Sequence, residues 1–394
     1  AMECVGTGVV ETHCSWHLSQ SMSTNPKARA WVQVRADALR ANYARIRAAA
    51  GPDARVMPMV KADAYGLGVR EVVARLEPLD PWGFGVATVA EAVALRGAGV
   101  RRPVLVCSPA PTADFAEALA HDATLSISSL EALAHLRKAA RDRGRPASFH
   151  VDVDTGMGRS GFDWQCASEW MSEVTAASDH LTCAGIFTHL HSADDDPESV
   201  TRQRDRLAEV LSNLPEPHDY LVHELNSAGV FRGRARPGAL VRPGIFLYGG
   251  EVGAGQPRPE PVASVHARVV HVRQASPGTS LGYGATHVAR TPERWATLSI
   301  GYGDGLPRAL GNRGSALVEG SRVPIIGRIS MDVTVVDITG KPGVREGSVA
   351  ALIGTDGEES ITVDDVAALA GTISYEVLTG LTSRLPRVWS DLDA

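Results

Sequence analysis

Lysine is scarce in this chain. Only Lys27, Lys61, Lys138 and Lys341 stand among 39 basic residues, so 35 are arginine. Three of the four lie in polar or loop-like surroundings, whereas Lys61 ends the apolar run Val56-Met57-Pro58-Met59-Val60. Partial desolvation there favours the neutral, nucleophilic amine, which suits a Schiff base with an aldehyde. Other reactive or ligand-holding types recur at comparable places. Asp154-Thr155-Gly156-Met157-Gly158-Arg159, Thr188-His189, Asn226-Ser227 and Arg242-Pro243-Gly244-Ile245 each close an apolar run. Lysine, tyrosine, arginine, histidine and serine gathered this way are parts of a site for an anionic cofactor. The pair Asn226-Ser227 and the amides of Gly244 and Ile245 are candidate hydroxyl and backbone N–H donors to a phosphate.

The elements that must position these groups alternate. A helix over 36–50, with Asp37 as its cap, precedes eight strand-like runs at 56–60, 83–87, 103–107, 124–127, 148–153, 183–188, 221–225 and 241–248. Helical patterns such as 88–96, 129–141 and 199–211 separate most of them. Eight such units predict an α/β fold, a parallel (β/α)8 TIM-type barrel, whose active residues stand at the C-terminal ends of its strands. A doubly wound sheet is the alternative, but no GxGxxG follows the first strand. Little helical pattern separates the last two strands. Beyond Val262 the runs 265–272, 295–300, 316–318, 323–326, 333–336 and 349–352 are short and β-branched, with one later helix at 363–369. They predict a C-terminal mainly β domain. The expected division is a disordered extension over 1–29, a barrel over 30–262 and the β domain over 263–394.

Composition narrows the function class. In 394 residues, 44% are apolar and 21% charged, as in soluble globular proteins, and a net charge of −6 offers no basic footprint for nucleic acid or an anionic membrane. The expected partners are a small molecule and a second copy of the chain. Cys4, Cys14, Cys107, Cys166 and Cys183 form no CxxC pair or zinc spacing, so no metal is expected, and Cys107, Cys166 and Cys183 read as buried and inert. No membrane span or signal peptide is legible, and the chain reads as cytoplasmic.

Nine segments, KADAYGLG, DTGMGRSG, FTHL, NSAG, VRPGIFLYG, LGYGATH, GYGDGLPR, GRISMD and SYEVLTG, resemble in order and spacing the motifs of the alanine racemase family, from about Trp31 to Trp389. The resemblance implies a pyridoxal 5′-phosphate enzyme and a homodimer with active sites shared between subunits. By that resemblance Lys61 holds the cofactor and serves as a base, and Tyr283 from the other subunit is the opposing base. Tyr65, Ser227, Gly244, Ile245 and Tyr375 correspond to phosphate contacts, with Asn226 beside them. His189 corresponds to the residue beside the pyridine ring and Arg242 to the arginine facing the ring nitrogen. Arg159 and the Met331 amide correspond to contacts for the substrate carboxylate, Asp332 to a support of the Met331 loop and Tyr302 to an entrance residue.

The chemistry agrees with these types. Racemisation needs bases on two faces of a planar carbon, and a phenol is a poor base near neutrality unless cations stabilise its phenolate. His189, Arg159 and Arg242 are the candidate cations. A guanidinium only donates, so Arg242 would leave the ring nitrogen unprotonated and limit side reactions. One departure stands out: many relatives carry a carbamylated lysine where this chain has Asp152. We expect Asp152 to replace its charge in part and to pair with Arg159. Interconversion of L- and D-alanine is the leading reading. The alternatives are a racemase of broader range that takes serine or basic amino acids, a pyridoxal-phosphate carrier without turnover, and a decarboxylase of related fold. The carrier lacks a second domain, and the decarboxylase is disfavoured by Arg242.

Overall fold

The computed structural model describes residues 27–176, 180–214 and 220–390. The expected extension therefore falls, over 1–26, outside the described residues, as do Cys4 and Cys14.

Among the described residues eight parallel strands make the ring of the first unit, with the short strand Phe162–Asp163 paired beside it. Phe84–Val86, Val104–Val106, Thr124–Ile127, Ala147–Asp154, Leu181–Phe187 and Leu221–His223 pair in sequence order. Leu240–Val241 pairs with Arg55–Val56, and single bridges Met59 to Gly85 and Asn226 to Arg242 join this pair to both edges. The ring closes as the sequence predicts. Apolar residues fill the strands because both faces are covered, the outer one by helices. These helices carry local signals that agree with the pattern. In Ala36–Ala50 the residues Leu39, Tyr43, Ile46 and Ala50 are buried at helical spacing. Val89–Gly97 starts from a Thr88/Glu91 capping box, Leu130–Arg143 from a Ser129 cap, and Pro197–Ser212 from an Asp196 cap with proline in the first turn.

Local expectations differ in three places. Asp37 does not cap its helix; it lies in the first turn and accepts from Arg35 at 2.6 Å. The run 56–60 is a two-residue strand and a bridge, because Pro58 has no amide to give a ladder. The run 241–248 stops being a strand at Val241, since Pro243 likewise lacks an amide, and Ile245–Tyr248 forms a 3-10 helix. As the weak helical pattern there predicts, the helix between the seventh and eighth strands, Ser227–Arg232, has six residues.

The second unit is a nine-stranded sheet. Its order is Glu359–Ile361, Val349–Asp356, Ser315–Val318, Ser321–Ile326, Thr334–Asp337, Glu293–Leu298, Ala263–Ala275, Ala30–Arg35 and Arg387–Ser390. Val349–Asp356 also pairs with Ala263–Ala275, so six of the strands close on themselves. Two boundary expectations change here. Ala30–Arg35 belongs to this sheet rather than to the barrel, with Trp31 fully buried and stacked on His266 at 5.2 Å. Arg29 is anchored as well, its guanidinium bonded to the Ser299 carbonyl and to both oxygens of the buried Asp304.

Candidate active site

At the C-terminal mouth of the barrel one cavity gathers Lys61, Tyr65, Asp152, Arg159, His189, Asn226, Ser227, Arg242, Gly244, Ile245 and Tyr375. Tyr375 reaches it from the helix Ser374–Gly380 of the second unit. Tyr283, Tyr302 and Met331 do not line it and stand exposed on the second unit at 69%, 41% and 52%. The loops of the last two are joined by Tyr302 N donating to Ser330 O and Gly303 N to Met331 O. Asp332 accepts from Arg384 at 2.6 Å, which supports the Met331 loop.

Lys61 owes its place to an unusual turn. Ala62, Asp63, Ala64 and Tyr65 follow it with φ of +52, +54, +53 and +56°, a left-handed turn that ends at Gly66. Each such residue costs about 1–2 kcal/mol without glycine's freedom, so tertiary contacts must hold the turn. Asp63 Oδ1 accepts from Val69 N at 2.7 Å, and Arg387 Nε donates to Gly66 O at 2.9 Å. Glu91 Oε1 accepts from Ala62 N at 2.7 Å. At the end of the turn Tyr65 is buried, stacked on Tyr248 at 4.6 Å, and its phenol is held neutral by burial.

A polar cradle lies opposite. Ser227 Oγ accepts from Gly244 N at 2.8 Å and from Phe246 N at 3.4 Å, which leaves its own hydrogen to give. Gly244 is required for the approach of Tyr65, whose hydroxyl oxygen would lie 2.1 Å from a Cβ. Asn226 lines the cavity, but its side chain is used as a cap, accepting from Gly229 N and donating to Leu190 O.

Arg242 forms the floor. Nη1 donates to His223 Nδ1 at 2.8 Å and to His223 O at 2.7 Å; Nη2 donates to Thr188 O at 2.8 Å and faces His189 Nδ1 at 3.5 Å. Because a guanidinium only donates, His223 must carry its proton on Nε2, which then donates to His150 Nδ1 at 2.7 Å. All three histidines are kept neutral. Burial, then Arg242, lowers His150 to about 3; burial, then Arg242, Arg159 and Lys61, lowers His189 to about 3; His223 falls well below its ordinary value for the same leading cause. His189 therefore does not serve as a cation for a phenolate, contrary to expectation, and Arg159 and Arg242 remain.

Asp152 also departs from expectation. Its Oδ2 accepts from Ser160 Oγ at 2.8 Å and Ser128 Oγ at 3.3 Å, and burial raises its pKa. Among the described residues it makes no ion pair with Arg159, because the short aspartate stem stays between the two serines. Other lining residues escaped the sequence reading. Cys107 closes its strand as Lys61 does, lines the cavity, and is kept a thiol by burial, which raises it to about 11. Outside the cavity, Gln203 on an outer helix bridges the loops after Asp154 and Thr188 by donating to Thr155 Oγ1 and His189 O and accepting from His191 N.

Fold and site together define a barrel protein with an amine-bearing mouth, an anion cradle and a buried guanidinium, completed by a β unit. Comparison places it more closely. Residues 34–252 match the model of the alanine racemase N-terminal domain and 262–389 that of the C-terminal domain. The chain is 38% identical to the alanine racemase of Cutibacterium acnes, over 89% of this chain and 95% of that one. It is 35% identical to that of Syntrophobacter fumaroxidans, over 89% and 94%. The crystal structure of the Bacillus anthracis alanine racemase with bound L-Ala-P superposes with a TM-score of 0.86 at 31% identity, covering 93% of this chain and 96% of that one. The Bartonella henselae alanine racemase with covalently bound pyridoxal phosphate gives 0.84 at 29%, covering 92% and 100%. The chain belongs to the alanine racemase family.

Proposed function

We propose that the protein is an alanine racemase, a pyridoxal 5′-phosphate enzyme that interconverts L- and D-alanine. The observation that carries the reading is one cavity in which Lys61, the Ser227 cradle and Arg242 meet, in a chain that matches both domains of the family. The residues fit the cofactor. Arg242 offers a donor for an unprotonated ring nitrogen, since its four bonds use Nη1 and Nη2 and leave Nε–H to give. Ser227, the Ile245 amide, and the Tyr65 and Tyr375 hydroxyls suit a phosphate, with Gly244 giving its N–H to Ser227 Oγ and Asn226 holding the Ser227 loop in place. When bound, pyridoxal phosphate supplies an aldehyde for an amine and a conjugated ring that acidifies the α C–H of the attached amino acid.

This chain's residues then do the remaining work. Lys61 Nζ holds the cofactor and takes or returns the α proton on one face. Tyr283 of the partner subunit does so on the other, in a homodimer whose exposed Tyr283, Tyr302 and Met331 complete the neighbouring site. Arg159 and the Met331 amide orient the substrate carboxylate, Asp332 steadies that amide, and His189 flanks the ring. Among the described residues no helix is long and apolar enough to cross a membrane. We place the enzyme in the cytoplasm, where scattered free cysteines are stable.

A broader amino-acid range is the second reading, favoured by the missing link between Asp152 and the exposed Arg159. One experiment separates the two. L-alanine and L-serine are incubated separately with cofactor-loaded wild type and with Lys61→Ala, and optical rotation is followed. Alanine alone should decay to the racemic end point, and Lys61→Ala should abolish it. Equal turnover of serine would establish the broader range; no change with either would leave the carrier and decarboxylase readings standing.

A further inference from the structure

We infer that Glu91 is a positioning residue for Lys61: its carboxylate pins the Lys61–Ala62 peptide and thereby sets where the amine stands. The inference rests on the reading of Lys61 given above. The Ala62 amide is the nitrogen of that peptide, and Glu91 Oε1 takes its hydrogen at 2.7 Å. The other oxygen, Oε2, accepts from Ala87 N at 2.8 Å and Thr88 N at 3.1 Å. A capping-box glutamate needs only the N-cap amide. Here the same carboxylate also reaches across to the first strand's loop, so three backbone amides share it. Strained backbone persists only where its surroundings over-determine it, and four successive left-handed residues begin at the pinned amide. The later bonds of the turn, Gly66 N to Ala62 O and Gly68 N to Asp63 O, are internal and travel with it. Glu91 ties its first peptide to the neighbouring barrel unit, the strand Phe84–Val86 and the helix Val89–Gly97. The pinned nitrogen is bonded to the Lys61 carbonyl carbon, so holding that peptide constrains Lys61 ψ and with it the direction in which the Lys61 side chain leaves the turn.

Two variants separate this role from plain helix capping. Glu91→Gln keeps the size but has one acceptor oxygen, which cannot serve both sides. Thr88→Ala removes the other half of the box, the Glu91 N to Thr88 Oγ1 bond at 3.2 Å, and leaves the carboxylate in place. Each purified protein is loaded with pyridoxal phosphate. Visible circular dichroism is recorded, cofactor trapped on Lys61 by borohydride is quantified by peptide mass, and kcat and KM for alanine are measured. Glu91→Gln should weaken the dichroic band, lower trapping at Lys61 and reduce kcat about 10- to 100-fold with little change in KM. Thr88→Ala should lower Tm to a similar extent with wild-type spectrum and kcat. A wild-type spectrum and kcat in Glu91→Gln, or equal losses in both variants, would overturn the role. A wild type that neither takes up cofactor nor racemises alanine would overturn the functional reading instead, and the role with it.

Discussion

Arg242 uses its Nη donors on neutral acceptors, two carbonyls and two imidazole nitrogens, so its position depends on histidines that stay unprotonated. The pH consequence follows from linkage. His150 and His189 titrate near 3 in the folded protein, and His223 is lowered too, against about 6.5 unfolded. Below about 6.5 the unfolded chain binds more protons, so stability is lost as pH falls from there toward 3, by on the order of 1 kcal/mol per pH unit for each histidine. Asp152 acts in the opposite direction, its raised pKa adding stability as pH falls through its folded value, but it is one group against three. Urea midpoints measured between pH 7 and 4 should therefore fall steeply; a flat profile would contradict the neutral relay. The residues at strand ends were legible in the sequence because polar types there have no core role. His150 and His223 were not: they lie within strands, where only register decides which side chains face the barrel interior. Asp152 was legible as a departure, but its partner Ser128 comes from a different strand end, 24 residues away.

The left-handed turn shows what an element can hide. In sequence, KADAYGLG reads as a glycine-framed loop, and nothing in Ala62, Ala64 or Tyr65 announces positive φ, since these residues avoid it in isolation. Its handedness is imposed by partners distant in the chain: Glu91, Leu378 and Arg387. Gly66 is where the requirement is sharpest. It has φ +81°, and a Cβ there would come 2.5 Å from the Leu378 carbonyl, in the helix that brings Tyr375 to the cavity. Gly66→Ala should cost about 1–3 kcal/mol and weaken cofactor affinity as that helix is pushed away. Urea denaturation and a cofactor titration would check it; unchanged affinity would mean that the helix yields without moving Tyr375. The eighth strand teaches the converse. The apolar run 241–248 looks continuous, yet Pro243 ends the ladder and the same side chains are buried as a 3-10 turn.

At the scale of the whole molecule, the barrel and the β unit were both foreseen from the change in texture near Val262, because strand length and turn chemistry differ there. The strand Ala30–Arg35 was misassigned because six apolar-patterned residues carry no mark of the sheet they join. The proposed homodimer makes a sharp expectation. Lys61→Ala and Tyr283→Ala should each be inactive, whereas subunits mixed, unfolded gently and reassembled should regain about a quarter of wild-type activity, since half the dimers are hybrids with one intact site. No recovery would place both residues in one subunit's site. The sheet order carries one more consequence. Val32 is paired with Val265 on one side and with Arg387 on the other, so a strand made early has its neighbours roughly 230 and 355 residues downstream. During synthesis the barrel can assemble on the ribosome while that strand remains unmatched. The β unit gains that edge only when residues 387–390 emerge, so its completion waits on a segment made long after the strand it flanks rather than on its own local sequence.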